Sequence, residues 1–230
     1  MTRIWIGPAD VPPEATARCW DVLDEGERAR ATALASPRDQ RRFTVAHGAL
    51  RILAGRELGT RPADLSWIPG RYGKPALVPP WNGLHTSLSH SAGLIAVALS
   101  TGRPVGVDIQ HLVPGLDTAG LSARFFPPEE AGYVADGRDP GTRAERFTHL
   151  WARKEAVVKA AGGRLWPNLR IAVRGRDVVR CAEPACSHRV ADVAAPAGFR
   201  AAVALAGPAP FIVEAVEAAR WSGDLAAEQP

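Results

Sequence analysis

The stretch HTSLSHSAGLIAVALSTGRPVGVDIQ, residues 85–110, constrains the fold more than any other. HTSLSH and LIAVALS have strand length and composition, and the small turn SAG between them makes them a β-hairpin. TGRP then turns the chain into GVDIQ (106–110), where Val107 and Ile109 alternate with Asp108 and Gln110. The period is two, so Asp108 and Gln110 share one face. Consecutive strands joined by tight turns usually pair, which places SHS (89–91) near one end of the strands flanking GVDIQ. A carboxylate on so apolar a strand is either a hydrogen-bonded core group or a functional one, and GVDIQ alone does not decide between them.

The remaining chain supplies helices and further short strands. RIWIG (3–7) reads as a first strand, followed by helical patterns from about Glu14 to Leu34 and from Arg38 to Leu58, broken at SPRD. LSWIPG and RYGKPAL read as a strand, a turn and another extended piece. After the loop HLVPGLDTAG, FPPEEAGYV starts a helix with Pro127 or Pro128 in its first turn and Glu129 and Glu130 complementing the dipole. A long helix is expected from about Thr142 to Ala161, stopped by Gly162–Gly163. LRIAVRG, DVVRCAE, FRAAVALAG and PFIVEAVE alternate like strands, and residues 221–230 are expected to fray. The fold class is therefore α+β, with an N-terminal half (1–103), a C-terminal half (104–220) and a flexible tail. No internal sequence repeat is visible, and a ligand between two such lobes is the expected arrangement.

Composition narrows the function classes. With 46% hydrophobic and 23% charged residues in 230, the chain reads as an ordinary globular protein with a real core. No run reaches the roughly 20 apolar residues of a membrane span. The N-terminus lacks a signal-peptide pattern, which points to the cytoplasm. Cys19, Cys181 and Cys186 form no even disulfide framework. Cys181, Cys186 and His188 lack the second ligand pair a zinc site would need. A net charge of +4 favours anionic partners, but the aromatic interleaving of a nucleic-acid platform is thin, so nucleic acid is not the expected partner.

A second informative stretch is HLWARKEAVVKAAGG (149–163), where Trp151, Glu155 and Lys159 recur at i, i+4 and i+8 on one helix stripe. Taken alone, this is an exposed Glu–Lys pair beside a packed Trp. Ala152, Ala156 and Ala160 form a second stripe on which the helix can approach a sheet closely. Together, Asp108 on a strand and Glu155 on a helix can supply two carboxylate oxygens to one hard cation, and magnesium commonly takes one or two carboxylates plus substrate phosphates. Lys159 is one turn on, as a point charge for the same phosphates. Lys74 after a glycine turn in RYGKPAL, and Ser89 and His90 in SLSHS, offer phosphate-binding side chains on loops.

These residues carry a resemblance. RYGKP, SLSHS, GVDIQ and WARKEAVVKA occur in the order and approximate spacing of the Sfp-type 4'-phosphopantetheinyl transferases, and the chain resembles that family over roughly residues 20–205. RFFPPEEAGYV and the basic RARATALASPRDQRRF are similar to further segments of it. The resemblance implies two similar α+β halves related by a pseudo-twofold axis, each with a small mostly antiparallel sheet and packed helices, and coenzyme A bound between them. It implies magnesium-dependent transfer of phosphopantetheine from coenzyme A to a serine of an apo carrier protein, releasing adenosine 3',5'-bisphosphate. By motif, Asp108 and Glu155 would be metal ligands and Lys159 would meet the pyrophosphate. Lys74 and Pro75 would border the adenine and phosphates, Ser89 and His90 would hold phosphate oxygens, and Arg30 and Arg42 resemble basic residues near the 3'-phosphate. Glu155 is the first candidate for the base that takes the serine proton.

One position departs from the family. Many members carry Glu where this chain has Gln110, whose carbonyl can bind the metal only weakly or hold a metal-bound water. The expected partners are acidic acyl, peptidyl or aryl carrier proteins, steered by a basic enzyme face. Arg124, Phe125, Phe126 and Tyr133 lie between the two motifs, and Phe125 or Phe126 could anchor a carrier helix. The length favours a monomer with an internal pseudodimer. Fatty-acid, polyketide and non-ribosomal peptide carriers all fit, as does a dedicated secondary-metabolite pathway. The competing reading is a non-catalytic coenzyme A or nucleotide-binding partner protein, which would not need the carboxylate pair. A serine hydrolase built on His90 lacks a G-x-S-x-G elbow. Trp20, Trp67, Trp81 and Trp166 are expected to be core or loop anchors.

Overall fold

The computed structural model describes residues 1–70, 73–181, 185–216 and 218–226. In chain order the main elements are β1 (Thr2–Pro8), α1 (Pro13–Asp21), α2 (Glu25–Ala33), α3 (Pro37–Leu58), β2 (Trp67–Pro69), β3 (Pro75–Leu77), β4 (Leu84–Ser91), β5 (Leu94–Thr101) and β6 (Val105–His111). Then follow α4 (Thr118–Phe125), α5 (Pro128–Ala135), α6 (Pro140–Ala161), α7 (Leu165–Asn168), β7 (Val178–Cys181), β8 (Cys186–Val193), β9 (Phe199–Ala206), β10 (Val213–Val216) and α8 (Ala218–Ala226). The chain forms two compact units, one of residues 1–69, 75–102 and 212–230, the other of 70–74 and 103–211.

Each unit is α+β, and each is built on the same local grammar. The first holds a sheet in the order β10-β1-β5-β4, the second a sheet in the order β6-β9-β8-β7. Each also has a helix of 22 residues packed on its sheet, α3 and α6. Ser36 caps α3 by accepting from the Asp39 amide, and Asp139 caps α6 by accepting from the Thr142 amide. A proline follows each cap, where its missing N–H costs nothing. Both helices end on a glycine in the left-handed region, Gly59 (φ 63°) and Gly162 (φ 64°), which ordinary side chains resist. The likeness lies in caps and lengths, so it leaves no repeat in the letters.

Several sequence expectations need correction. β6 does not continue the β4–β5 hairpin; it opens the second sheet, pairing with β9 from Val105↔Leu205 to His111↔Phe199. TGRP is thus a connection between units, and tight-turn proximity misleads there. The chain enters the second unit at 70–74, returns to the first, enters the second again at Arg103, and from Ile212 rejoins the first. Val213–Val216 joins β1 in parallel, and α8 buries Trp221 (1% exposed) and Leu225. Trp221 lies flat on β1, where any Cβ at Gly7 would fall 2.2 Å from its ring, and donates from Nε1 to the Pro8 carbonyl at 2.9 Å. The tail is therefore helical through residue 226, and 227–230 lie outside the described residues.

LRIAVRG is not a strand. Leu169, Ile171 and Val173 are buried in alternation, yet the amides of Val173 and Arg174 donate to Glu130 Oε1 at 2.5 and 2.8 Å instead of to a ladder. The pattern of burial is strand-like, but a buried carboxylate takes the place of a neighbouring strand. Three elements also escaped the sequence reading, the short α7 (Leu165–Asn168) among them. α4 starts at Asp117, which accepts from the Gly120 amide, and β8 forms from CSHRVADV.

Within β8, His188 is 1% exposed, paired across the ladder with Val179. Burial, and then the charge of Lys74, push its imidazole down to about 4. The unfolded chain binds that proton near 6.5, so this contribution to stability is full above pH 6.5 and is lost as pH falls toward 4. Urea unfolding at pH 7 and pH 5 should differ by about 2 kcal/mol more in the wild type than in His188→Gln. Equal differences in the two proteins would show that His188 does not carry the effect.

Candidate functional site

Asp108 is wholly buried at the centre of β6, on the face covered by α6. The close approach depends on small residues. A Cβ at Gly106 would stand 2.1 Å from the Ala156 carbonyl, and Ala152, Ala156 and Ala160 are all buried along the helix. The Trp151–Glu155–Lys159 stripe of α6 then points its polar groups at Asp108. Lys159 Nζ donates to Asp108 Oδ1 at 2.7 Å and lies 3.7 Å from Glu155 Oε2. Trp151 Nε1 donates to Glu155 Oε1 at 3.0 Å, and Gln110 Nε2 donates to Asp108 Oδ2 at 3.0 Å. The two motifs read from the sequence thus meet in one cluster.

Its electrostatics follow from two acids held around one ammonium. Burial raises the Glu155 carboxyl, the Asp108 charge raises it further, and Lys159 and the Trp151 N–H partly oppose both. A cation between the carboxylates relieves that strain, and the donors are oxygens of the hard type magnesium prefers. Among the described residues no group of three or more His, Cys, Asp or Glu is arranged to hold a metal. Asp108 and Glu155 therefore fit a hard cation only as a partial ligand set that a substrate must complete.

The family model described as the 4'-phosphopantetheinyl transferase superfamily matches residues 104–201. The 4'-phosphopantetheinyl transferase HetI of Nostoc sp. is 34% identical over 162 residues, 70% of this chain and 68% of the relative. This chain belongs to the 4'-phosphopantetheinyl transferase superfamily. The protein slr0495 of Synechocystis sp. is 35% identical over 167 residues, 70% of this chain and 64% of the relative. The 4'-phosphopantetheinyl transferase of Bacillus subtilis is 33% identical over 124 residues, 54% of this chain and 53% of the relative. The matches span between about half and two thirds of these relatives' lengths.

The superfamily match covers Asp108, Gln110, Glu155 and Lys159, all in the second unit. Ser89, His90, Arg30, Arg42 and Pro75 belong to the first. Ser89 is buried and His90 exposed at the end of β4, beside a turn in which Ala92 adopts φ 50°. Arg42 lines a cavity of about 370 Å³ together with Arg38, Arg41, Asp10, Ala92 and Gly93. Arg41 pairs with Asp10 at 2.9 Å and Arg42 with Asp39 at 2.7 Å. Arg30 does not line it; its guanidinium lies 5.6 Å above the Phe43 ring. The sequence reading missed Arg38 and Arg41. Their signal was available, because a helix starting at Ser36–Pro37 places 38, 41 and 42 on one face.

Lys74 bridges two elements of the second unit. Its Nζ donates to the carbonyls of Val105 at 2.8 Å and Ala160 at 3.2 Å, tying the start of β6 to the end of α6. Burial lowers its ammonium to about 8. Pro75 is exposed in β3, opposite Pro69. Arg71 and Tyr72 of the RYGKP block lie outside the described residues.

Proposed function

We propose that this chain is an Sfp-type phosphopantetheinyl transferase that moves 4'-phosphopantetheine from coenzyme A to a serine of an apo acyl, peptidyl or aryl carrier protein. The observation that carries the reading is the Asp108–Lys159–Glu155 cluster across β6 and α6. Attack on a dianionic pyrophosphate asks for charge neutralisation and in-line placement more than for covalent help. Asp108 and Glu155 would hold a magnesium ion, which supplies charge neutralisation to the pyrophosphate when bound. Lys159 Nζ, already shared between the carboxylates, is placed to pass hydrogen bonds to the departing 3',5'-bisphosphate. Glu155 Oε1 is committed to Trp151, so Oε2 is the oxygen that takes the serine proton. The arginines of the first unit's cavity offer guanidinium donors suited to a phosphate such as the 3'-phosphate. The enzyme acts as a monomer in the cytoplasm. Among the described residues, no helix is long and apolar enough to cross a membrane.

The test is intact-protein mass spectrometry of an apo carrier protein incubated with the enzyme, coenzyme A and magnesium, with an EDTA control. A metal-dependent gain of one phosphopantetheine unit is expected. Measurable coenzyme A binding without transfer to any acyl, peptidyl or aryl carrier would instead establish a non-catalytic binding protein.

Gln110 refines the mechanism. Its amide now donates to Asp108 Oδ2, a contact that costs the site no charge and adds none. Gln110→Glu adds an acid beside Asp108, so it should keep transfer activity and lower the magnesium concentration for half-maximal rate by about tenfold. A large loss of activity at saturating magnesium would show that Gln110 does not stand next to the metal.

A further inference from the structure

Trp166 is not a core or loop anchor: it is 68% exposed on α7, the most exposed aromatic residue among the large hydrophobic side chains described. It is also not isolated. Its ring lies 5.3 Å from Phe125 at the end of α4, and the Arg124 guanidinium sits 5.0 Å above the same Phe125 ring. Arg170 donates from Nη2 to the Arg124 carbonyl at 3.4 Å, and Arg164 is exposed one turn before. Among the described residues, no ion pair with a carboxylate involves Arg124 or Arg170. Of the two phenylalanines in RFFPP, Phe126 is buried at 1% exposure, while Phe125 is half-buried at the edge of the core, with Trp166 beside it.

We infer that Trp166 and Phe125, framed by Arg124 and Arg170, form the docking surface for an acidic helix of the carrier protein. This rests on the transferase reading. Tryptophan and arginine are the residues that most often dominate binding energy, and they do so where an apolar centre is ringed by polar groups. A helix with one apolar anchor and acidic neighbours complements this patch in both shape and sign. A second copy of this chain is a poorer occupant, because the same guanidinium groups would face one another.

The patch is also mechanically joined to the reacting carboxylate. Phe126, next to Phe125, stacks on Phe147 at 5.2 Å and lies 6.3 Å from Trp151. Trp151 in turn holds Glu155. Phe125 is therefore linked through two aromatic residues, Phe126 and Trp151, to the carboxylate proposed to take the serine proton.

The experiment measures transfer kinetics with an apo acyl carrier protein for the wild type, Trp166→Ala and Arg124→Glu/Arg170→Glu. In parallel, hydrogen exchange of the full chain is followed with and without the carrier. Trp166 is exposed, so its removal leaves the core intact. Each variant should raise KM for the carrier by about tenfold or more, with kcat and KM for coenzyme A changed less than about twofold. The carrier should slow exchange over residues 121–126 and 164–170. Transfer by the wild type with unchanged carrier KM in both variants, and no protection there, overturns the docking surface alone. Protection without transfer supports the surface and overturns the activity. Neither transfer nor protection overturns both.

Discussion

Replacing Asp108 by Asn is expected to slow phosphopantetheine transfer by about 10²–10³-fold while the protein stays folded. The substitution is close to isosteric at a wholly buried position, and its amide oxygen can still accept from Lys159 Nζ, now 2.7 Å away. What disappears is the charge. The ammonium then faces a single carboxylate, and the donor set loses half of the acid that a hard cation could use. Glu155→Gln removes the other acid and the proton acceptor together, and is expected to abolish turnover. It can keep the Trp151 hydrogen bond through its amide oxygen, so the shape of the site is retained. Single-turnover transfer, read beside coenzyme A binding and a melting curve, separates these effects. Near-normal rates in either variant, with folding unchanged, would remove the cluster from the mechanism.

That cluster was the most legible part of the molecule because local periodicity determines it. Alternation in GVDIQ puts Asp108 and Gln110 on one face, and helical spacing puts Trp151, Glu155 and Lys159 on one stripe, before anything is known of the fold. The small stripe Ala152–Ala156–Ala160 also announced the close approach that Gly106 permits. Partner choice was not legible in the same way. β6 leaves its sequence neighbour for β9, and β10 crosses back to β1, since alternation says which face is buried but not which edge is joined. The contacts of Lys74 were hidden for the same reason. Two backbone carbonyls from elements far apart in sequence take its ammonium, and no local pattern encodes them. Trp166 looked like an anchor because tryptophan usually is one.

The pair least visible in the sequence should matter most for stability. Glu130 and Lys154 are 24 residues apart in the chain numbering, on α5 and α6, and both are essentially fully buried. Lys154 Nζ lies 2.5 Å from Glu130 Oε2, donates to the Ile171 carbonyl, and stands 4.6 Å from the Phe126 ring. Glu130 Oε1 meanwhile takes the amides of Val173 and Arg174. Burial lowers the Lys154 ammonium, and Glu130 opposes that shift, so the pair persists only while both members are present. Glu130→Ala strands a buried ammonium and two backbone donors, and should cost about 3–5 kcal/mol. Lys154→Met should cost a similar amount by stranding the carboxylate. In Glu130→Gln/Lys154→Met both charges are gone and the glutamine oxygen can still receive the two amides, so the double variant should recover much of the loss. Urea unfolding of the wild type, Glu130→Gln, Lys154→Met and the double variant gives the coupling directly. Additive losses would mean that the two charges do not act on each other. Because the segment held by this pair leads from α7 into the second sheet, its release should also loosen the support of α6, and transfer by Glu130→Ala should fall at temperatures below its unfolding midpoint.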